Sequence, residues 1–116
     1  STCLQYGLPI KIINLNNAAL GMVRQWQDMQ YGGRHSSSTY ENSLPDFKAL
    51  AESYGHIGIK VSKFEDLESA MQECIALKDK LVFLDVDVDP NEHVYPMLEA
   101  GNSMDYMWLG KDKKTW

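Results

Sequence analysis

Asn16 and Asn17 stand directly behind the apolar run Leu8-Pro9-Ile10-Lys11-Ile12-Ile13-Asn14-Leu15. In open parallel sheets, ligands bind beyond the carboxyl ends of strands, which is where this pair falls if the run is a strand. An amide oxygen is a hard neutral donor of the kind magnesium takes, commonly beside substrate phosphates. On spacing alone the pair reads first as an ordinary strand-to-loop turn. Asp85, Asp87 and Asp89 alternate and invite a calcium reading. A calcium loop opening at Asp85 needs glycine at position 90 and glutamate at position 96, where the chain has Pro90 and Pro96. The three acids instead predict one sheet face ending in like charges and turned to solvent. His35, His56 and His93 have no metal-ligand spacing with Cys3 and Cys74. His93 is read as structural, and nothing in the sequence supports His35 as a general base. No nucleophile elbow or phosphate-binding glycine fingerprint is present.

The elements that must position these residues follow from periodicity. The β-branched run at 10–15 predicts a buried, parallel strand opened by Pro9. Leu20 to Met29 predicts a short helix weakened by Gly21. Tyr31 to Ser43, rich in serine and glycine, predicts a long loop of the functional or mobile kind. A helix follows from Pro45, with Ser43 as N-cap, Pro45 and Asp46 in the first turn and Gly55 as its stop. Ile57, Ile59 and Val61 alternate as a second strand. Ser62-Lys63-Phe64-Glu65 has the form of a capping box, opening a helix whose stripe is Phe64, Leu67, Met71, Cys74 and Ile75. Leu81 to Val88 is the last strand. Strands alternating with helices predict an α/β fold in three layers around a mainly parallel sheet, with right-handed crossovers. Beyond Pro90 the periodicity stops, and 90–116 reads as an extended C-terminal tail held by isolated aromatic and methionine anchors.

Composition bounds the possibilities. The chain has 116 residues, the size of one small domain. Hydrophobic residues make up 44% and charged residues 23%, which excludes intrinsic disorder. A formal net charge of -5 points away from nucleic acid and from anionic membrane surfaces. No apolar run approaches membrane-spanning length and no signal peptide opens the chain. Two isolated cysteines are not a disulfide framework, so a cytoplasmic location is expected.

A wider pattern surrounds the asparagine pair. Asn14-Leu15-Asn16-Asn17 leads to Gly21-Met22-Val23-Arg24-Gln25-Trp26-Gln27, then to Tyr31 and Arg34-His35-Ser36. Further along stand Leu44-Pro45-Asp46-Phe47, Leu50-Ala51-Glu52, Tyr54-Gly55, His93-Val94-Tyr95-Pro96-Met97, Met104-Asp105 and Met107-Trp108-Leu109. Over nearly its whole length the chain resembles the acetolactate synthases, thiamine diphosphate enzymes also called acetohydroxyacid synthases, and most of all their bacterial catalytic large subunits. The Asn-Asn pair alone is shared by many thiamine enzymes; the Gly-Met-Val-x-Gln-Trp run is far more specific.

The resemblance implies a partial thiamine diphosphate-binding, Rossmann-like domain. It implies that magnesium, which holds the cofactor's diphosphate, takes the side chain of Asn17 and the backbone carbonyl of Ala19. Gly21, Met22 and Val23 would lie against the cofactor, with Met22 supporting its bent shape. Val23 and Trp26 would wall the pocket for the second 2-oxo acid. Met22 and Val23 read equally as core residues, and Trp26 as a packing or interface anchor. The resemblance also implies what is lacking. The family's Gly-Asp-Gly motif, whose aspartate ligates the metal, would fall before residue 1. The glutamate that activates the cofactor and the flavin-binding (FAD) domain are absent too. The full enzyme condenses pyruvate with pyruvate or 2-oxobutanoate after thiamine-dependent decarboxylation, in branched-chain amino acid biosynthesis. This chain is therefore expected to be a C-terminal fragment that binds no cofactor tightly and is inactive alone. The other reading is a catalytically silent structural or interaction protein that keeps the fold. An uncovered sheet edge and face would favour a homo-oligomer. A full-length subunit would pair with a second catalytic subunit and a regulatory one.

Overall fold

A computed structural model describes residues 1–40 and 42–110. The chain divides into two compact units, each assembled from two stretches: 1–19 with 39–90, and 20–38 with the residues from 91 onward.

The first unit is a three-stranded parallel sheet with helices. Its elements in chain order are α1 (Thr2–Gln5), β1 (Lys11–Asn16), α3 (Phe47–Ser53), β2 (Ile57–Val61), a 3₁₀ turn (Phe64–Asp66), α4 (Leu67–Ala76) and β3 (Val82–Asp87); α2 (Gly21–Gln30) belongs to the second unit. The strand order is β1-β3-β2 and both pairs are parallel. Alternation along β3 sends Val82, Leu84 and Val86 to one face, where they join Val61, Ala70 and Cys74 in the core under α4. Phe83 points the other way and stacks on Phe47 of α3, ring centroids 5.9 Å apart. Helices thus cover both faces, the three layers that the strand–helix alternation predicts. At Gly58 α3 comes close to the sheet: a β-carbon there would meet the Lys48 carbonyl oxygen at 2.5 Å. Gly55, at φ +78, ends α3 as expected.

Several expectations need correction. β1 is not a buried strand. With β3 in the middle, β1 is an edge, and α4 packs mainly over β2 and β3. Ile13 and Leu15 are therefore 48% and 67% exposed. Ser43 does not cap α3; Asp46 does, its carboxylate accepting from Ala49 N at 3.0 Å. A carboxylate at that position also meets the positive end of the helix. The capping box does not form either. The Ser62 hydroxyl donates to Asp87 Oδ2 at 2.7 Å, and the chain enters α4 through the 3₁₀ turn. Phe64 is 86% exposed and Ile75 63% exposed, so neither joins the apolar stripe. Asp85 does not face solvent: it is 1% exposed.

Among the described residues, the second unit buries no apolar side chain; those it buries are Gln25 and Ser38. α2 begins at Gly21 and runs a full ten residues, undiminished by that glycine. The 31–38 segment is not a free loop. Gln27 Oε1 accepts from the Ser38 hydroxyl at 2.5 Å and from Ser36 N at 3.3 Å, while its Nε2 donates to Ser36 O at 3.0 Å. In the expected tail, Met97 and Trp108 form a backbone bridge, and positions 111–116 lie outside the described residues. Among the described residues no helix is long and apolar enough to cross a membrane.

Candidate functional site

β1 ends at Asn16, so Asn17 and Ala19 sit in the turn at the carboxyl end of a parallel strand, as its spacing predicts. Two side-chain bonds shape this turn. Asn16 Oδ1 accepts from Ala18 N at 3.0 Å, and Asn17 Oδ1 accepts from Ala19 N at 3.2 Å. Between them Ala18 adopts φ 50, in the left-handed region an alanine seldom enters. The chain then pairs antiparallel at Ala19 and Thr39, with Tyr40 N donating to Ala18 O at 2.9 Å.

The turn forms one wall of an open cleft of about 620 Å³, whose other walls include Tyr40, Asp46, Lys60 and Asp87. Under it lies a charged network. Asp85 accepts from Asn14 Nδ2 at 2.7 Å, from Lys60 Nζ at 2.9 Å and from Asn16 Nδ2 at 3.4 Å. Lys60 also donates to Asp87 Oδ1 at 2.5 Å. The bond to Asp87, against a desolvation that lowers it and with help from Asp85, holds the Lys60 ammonium above the usual lysine range. Burial pushes the Asp87 carboxyl up, but the bonds from Lys60 and Ser62 and the charge of the lysine outweigh it, and it titrates below an ordinary aspartate.

The amide oxygen of Asn17 has a second lone pair beyond its turn bond. Among the described residues no hydrogen bond ends on the Ala19 carbonyl oxygen. Both are hard oxygen donors, so the donor chemistry fits magnesium. Both are also neutral, and among the described residues no group of three or more His, Cys, Asp or Glu could hold a metal ion.

Gly21, Met22, Val23 and Trp26 belong to the second unit, all on α2. Gly21 opens the helix and Met22 is exposed. Val23 and Trp26, one helical turn apart, are brought together: with Tyr31 and Arg34 they line a mostly apolar hollow of about 640 Å³. The helix is fixed by polar tethers. Gln25, 1% exposed, donates to Val94 O and accepts from Val94 N, both at 2.9 Å, as a strand neighbour would. Asp28 spans two histidines, 2.6 Å from His35 Nε2 and 2.9 Å from His93 Nε2. Burial opposes ionisation of Asp28, but the bonds and charges of the two histidines prevail and its carboxyl lies below the usual range. Arg24 of the same helix reaches Asn91 Oδ1 at 2.7 Å. His93 is thus engaged in a structural contact with Asp28.

Sequence reasoning misread Asp85 and missed Lys60, Gln25 and Asp28. Asn14, an amide inside an apolar strand and in register with Asp85, was a usable signal for the first pair. Gln25 finds Val94, and Asp28 finds His93, across more than 60 residues, so neither contact leaves a local signal; His35, seven residues from Asp28, is its near partner.

Residues 1–86 match the family described as thiamine pyrophosphate enzyme, C-terminal TPP binding domain. The chain is 58% identical over 114 residues to the acetolactate synthase large subunit of Haemophilus influenzae, covering 98% of this chain and 20% of that protein. It is 56% identical over 117 residues to the large subunit of acetolactate synthase isozyme 3 of Escherichia coli, covering 99% and 20%. An acetolactate synthase of Mycobacterium bovis is 38% identical over 108 residues, covering 90% and 18%. The chain therefore spans about a fifth of the length of these curated relatives.

Proposed function

The chain belongs to the thiamine pyrophosphate enzymes, as their C-terminal TPP binding domain, and from that premise we propose that it is the cofactor-binding end of an acetolactate synthase large subunit. The observation that carries this reading is the similarity to such subunits across 98–99% of the chain. The turn after β1, with two oxygen donors at a parallel strand's carboxyl end, is what such an end requires. The proposed reaction joins pyruvate to a second pyruvate or to 2-oxobutanoate, a step of branched-chain amino acid biosynthesis.

When bound, thiamine diphosphate supplies the electron sink for decarboxylation, and magnesium neutralises its diphosphate. The residues of this chain bind and orient. Asn17 and the Ala19 carbonyl hold the metal. Gly21 lets the backbone come close to the cofactor, Met22 supports it, and Val23 and Trp26 wall the acceptor pocket. Flavin, present in the full-length family, is assigned to no residue here. A homo-oligomer, joined by a regulatory subunit and located in the cytoplasm, completes the proposal; the open β1 edge supports association.

Two neutral donors are too few for tight magnesium, which wants carboxylate or phosphate help. By itself the chain is therefore catalytically silent. Calorimetry of the isolated chain with magnesium and thiamine diphosphate, beside an acetolactate assay with pyruvate, tests this: micromolar binding or measurable product would overturn it. In a subunit of the relatives' full length carrying this segment, Trp26→Leu is expected to change mainly the preference for 2-oxobutanoate over pyruvate. Equal loss of both reactions would refute its role as a pocket wall.

A further inference from the structure

We propose that Asn16, anchored by the buried carboxylate of Asp85, is the positioning residue for magnesium at Asn17 and Ala19. The inference rests on the reading of those two residues as metal donors.

Asp85 lies in the central strand, 1% exposed. A carboxylate so placed must have its lone pairs filled, and three donors fill them: Asn14 at 2.7 Å, Lys60 at 2.9 Å and Asn16 at 3.4 Å. Lys60 balances its charge. The donor half of the Asn16 amide is thus tied to the middle of the sheet. The acceptor half points forward, taking the N–H of Ala18 at 3.0 Å.

Ala18 is the residue that needs this. At φ 50 an alanine is strained and persists only where its surroundings over-determine it. Two bonds do so: Asn16 grips its N–H, and its carbonyl accepts from Tyr40 N at 2.9 Å. The left-handed step at Ala18 lets Asn17 Oδ1 reach Ala19 N at 3.2 Å, which brings the two proposed donor residues into one closed turn. A chain of contacts therefore runs from Asp85 through Asn16 and Ala18 to Asn17 and Ala19. Asn16 need touch neither metal nor cofactor to act: it removes the freedom that the turn would otherwise lose on binding. Residues that orient metal ligands in this way typically contribute roughly 10–100-fold in affinity.

The test uses a subunit of the relatives' full length carrying this segment. Magnesium is titrated by calorimetry with thiamine diphosphate present, and thermal melting is followed in parallel. Asn16→Ala should raise the half-saturating magnesium concentration by roughly 10-fold and leave thiamine diphosphate affinity at saturating magnesium unchanged. Asn16→Ser should recover part of the loss, because a hydroxyl can accept from the N–H two residues on. Equal loss in the two variants would overturn the turn-setting role. A loss of thiamine diphosphate affinity that saturating magnesium does not repair would assign the damage to the fold, and would also overturn it. Asn17→Ala separates this inference from its premise. If Asn17→Ala weakens magnesium while Asn16→Ala binds it normally, the positioning role alone falls. If Asn17→Ala also binds magnesium normally, the donor assignment itself falls.

Discussion

The two units of this chain hold themselves together by different physics. In the sheet unit, Val61, Cys74, Val82, Leu84 and Val86 are buried around a parallel ladder, and stability comes from apolar area. In the unit built around α2, the side chains buried among the described residues are an amide and a hydroxyl, Gln25 and Ser38. There the segments are held by directional bonds: Gln25 to Val94, Gln27 to Ser36 and Ser38, and Asp28 to His35 and His93. Apolar burial tolerates small shifts and has no pH dependence. Polar tethers fix position closely but fail one at a time. The proposed metal turn belongs to the first kind of unit and the proposed substrate wall, Val23 and Trp26, to the second.

The sharpest way to break the comparison is to empty the apolar core. Leu84 is fully buried in the central strand, so Leu84→Ala should cost about 2–5 kcal/mol, read by urea or thermal unfolding. Gly58→Ala comes next. Its β-carbon would meet the Lys48 carbonyl, and pushing α3 away should cost about 1–3 kcal/mol in the same measurement. Gln25→Ala probes the other unit. It leaves both backbone groups of Val94 without their partner, worth about 1–3 kcal/mol, and hydrogen exchange should quicken at Val94 while the amides of β3 stay protected. Acid should act on the same unit with a smaller effect. The Asp28 carboxyl has a folded-state pKa below its unfolded value, so its contribution is complete above about pH 3.9 and is lost as pH falls toward the lowered folded value. Exchange near His35 and His93 should therefore quicken in that window, and Asp28→Asn should abolish the pH dependence. Phe64→Ser is the smallest change: at 86% exposed, it should move stability by no more than about 0.5 kcal/mol.

The same contrast explains what the sequence made legible. The β-branched run at 10–15, the alternation at 57–61 and the apolar block at 81–88 became β1, β2 and β3, because such side chains favour extended backbone whether or not the strand is buried. The parallel register and the helices on both faces followed from their alternation. The strand order did not, and with it went the exposure of β1: nothing local says that β3 lies in the middle. Caps failed where a neighbour competed for the capping group, as Asp87 does for the Ser62 hydroxyl. The asparagine turn was legible because it is local. The tethers from α2 to Val94 and His93 were not, because they span more than 60 residues and leave no period behind. Asp85 misled for the opposite reason. It looks like one of three solvent-facing acids until Asn14, Asn16 and Lys60 are seen to fill its lone pairs.

The central claim is that this chain is the cofactor-binding end of an acetolactate synthase large subunit. Its most direct test is to exchange the matching fifth of the Escherichia coli isozyme 3 large subunit for this chain and to measure acetolactate formed from pyruvate with magnesium and thiamine diphosphate supplied. The account predicts product from the exchanged protein, and none once Asn17 is changed to Ala at limiting magnesium. A folded exchanged protein that binds no thiamine diphosphate and forms no acetolactate at any magnesium concentration would contradict it.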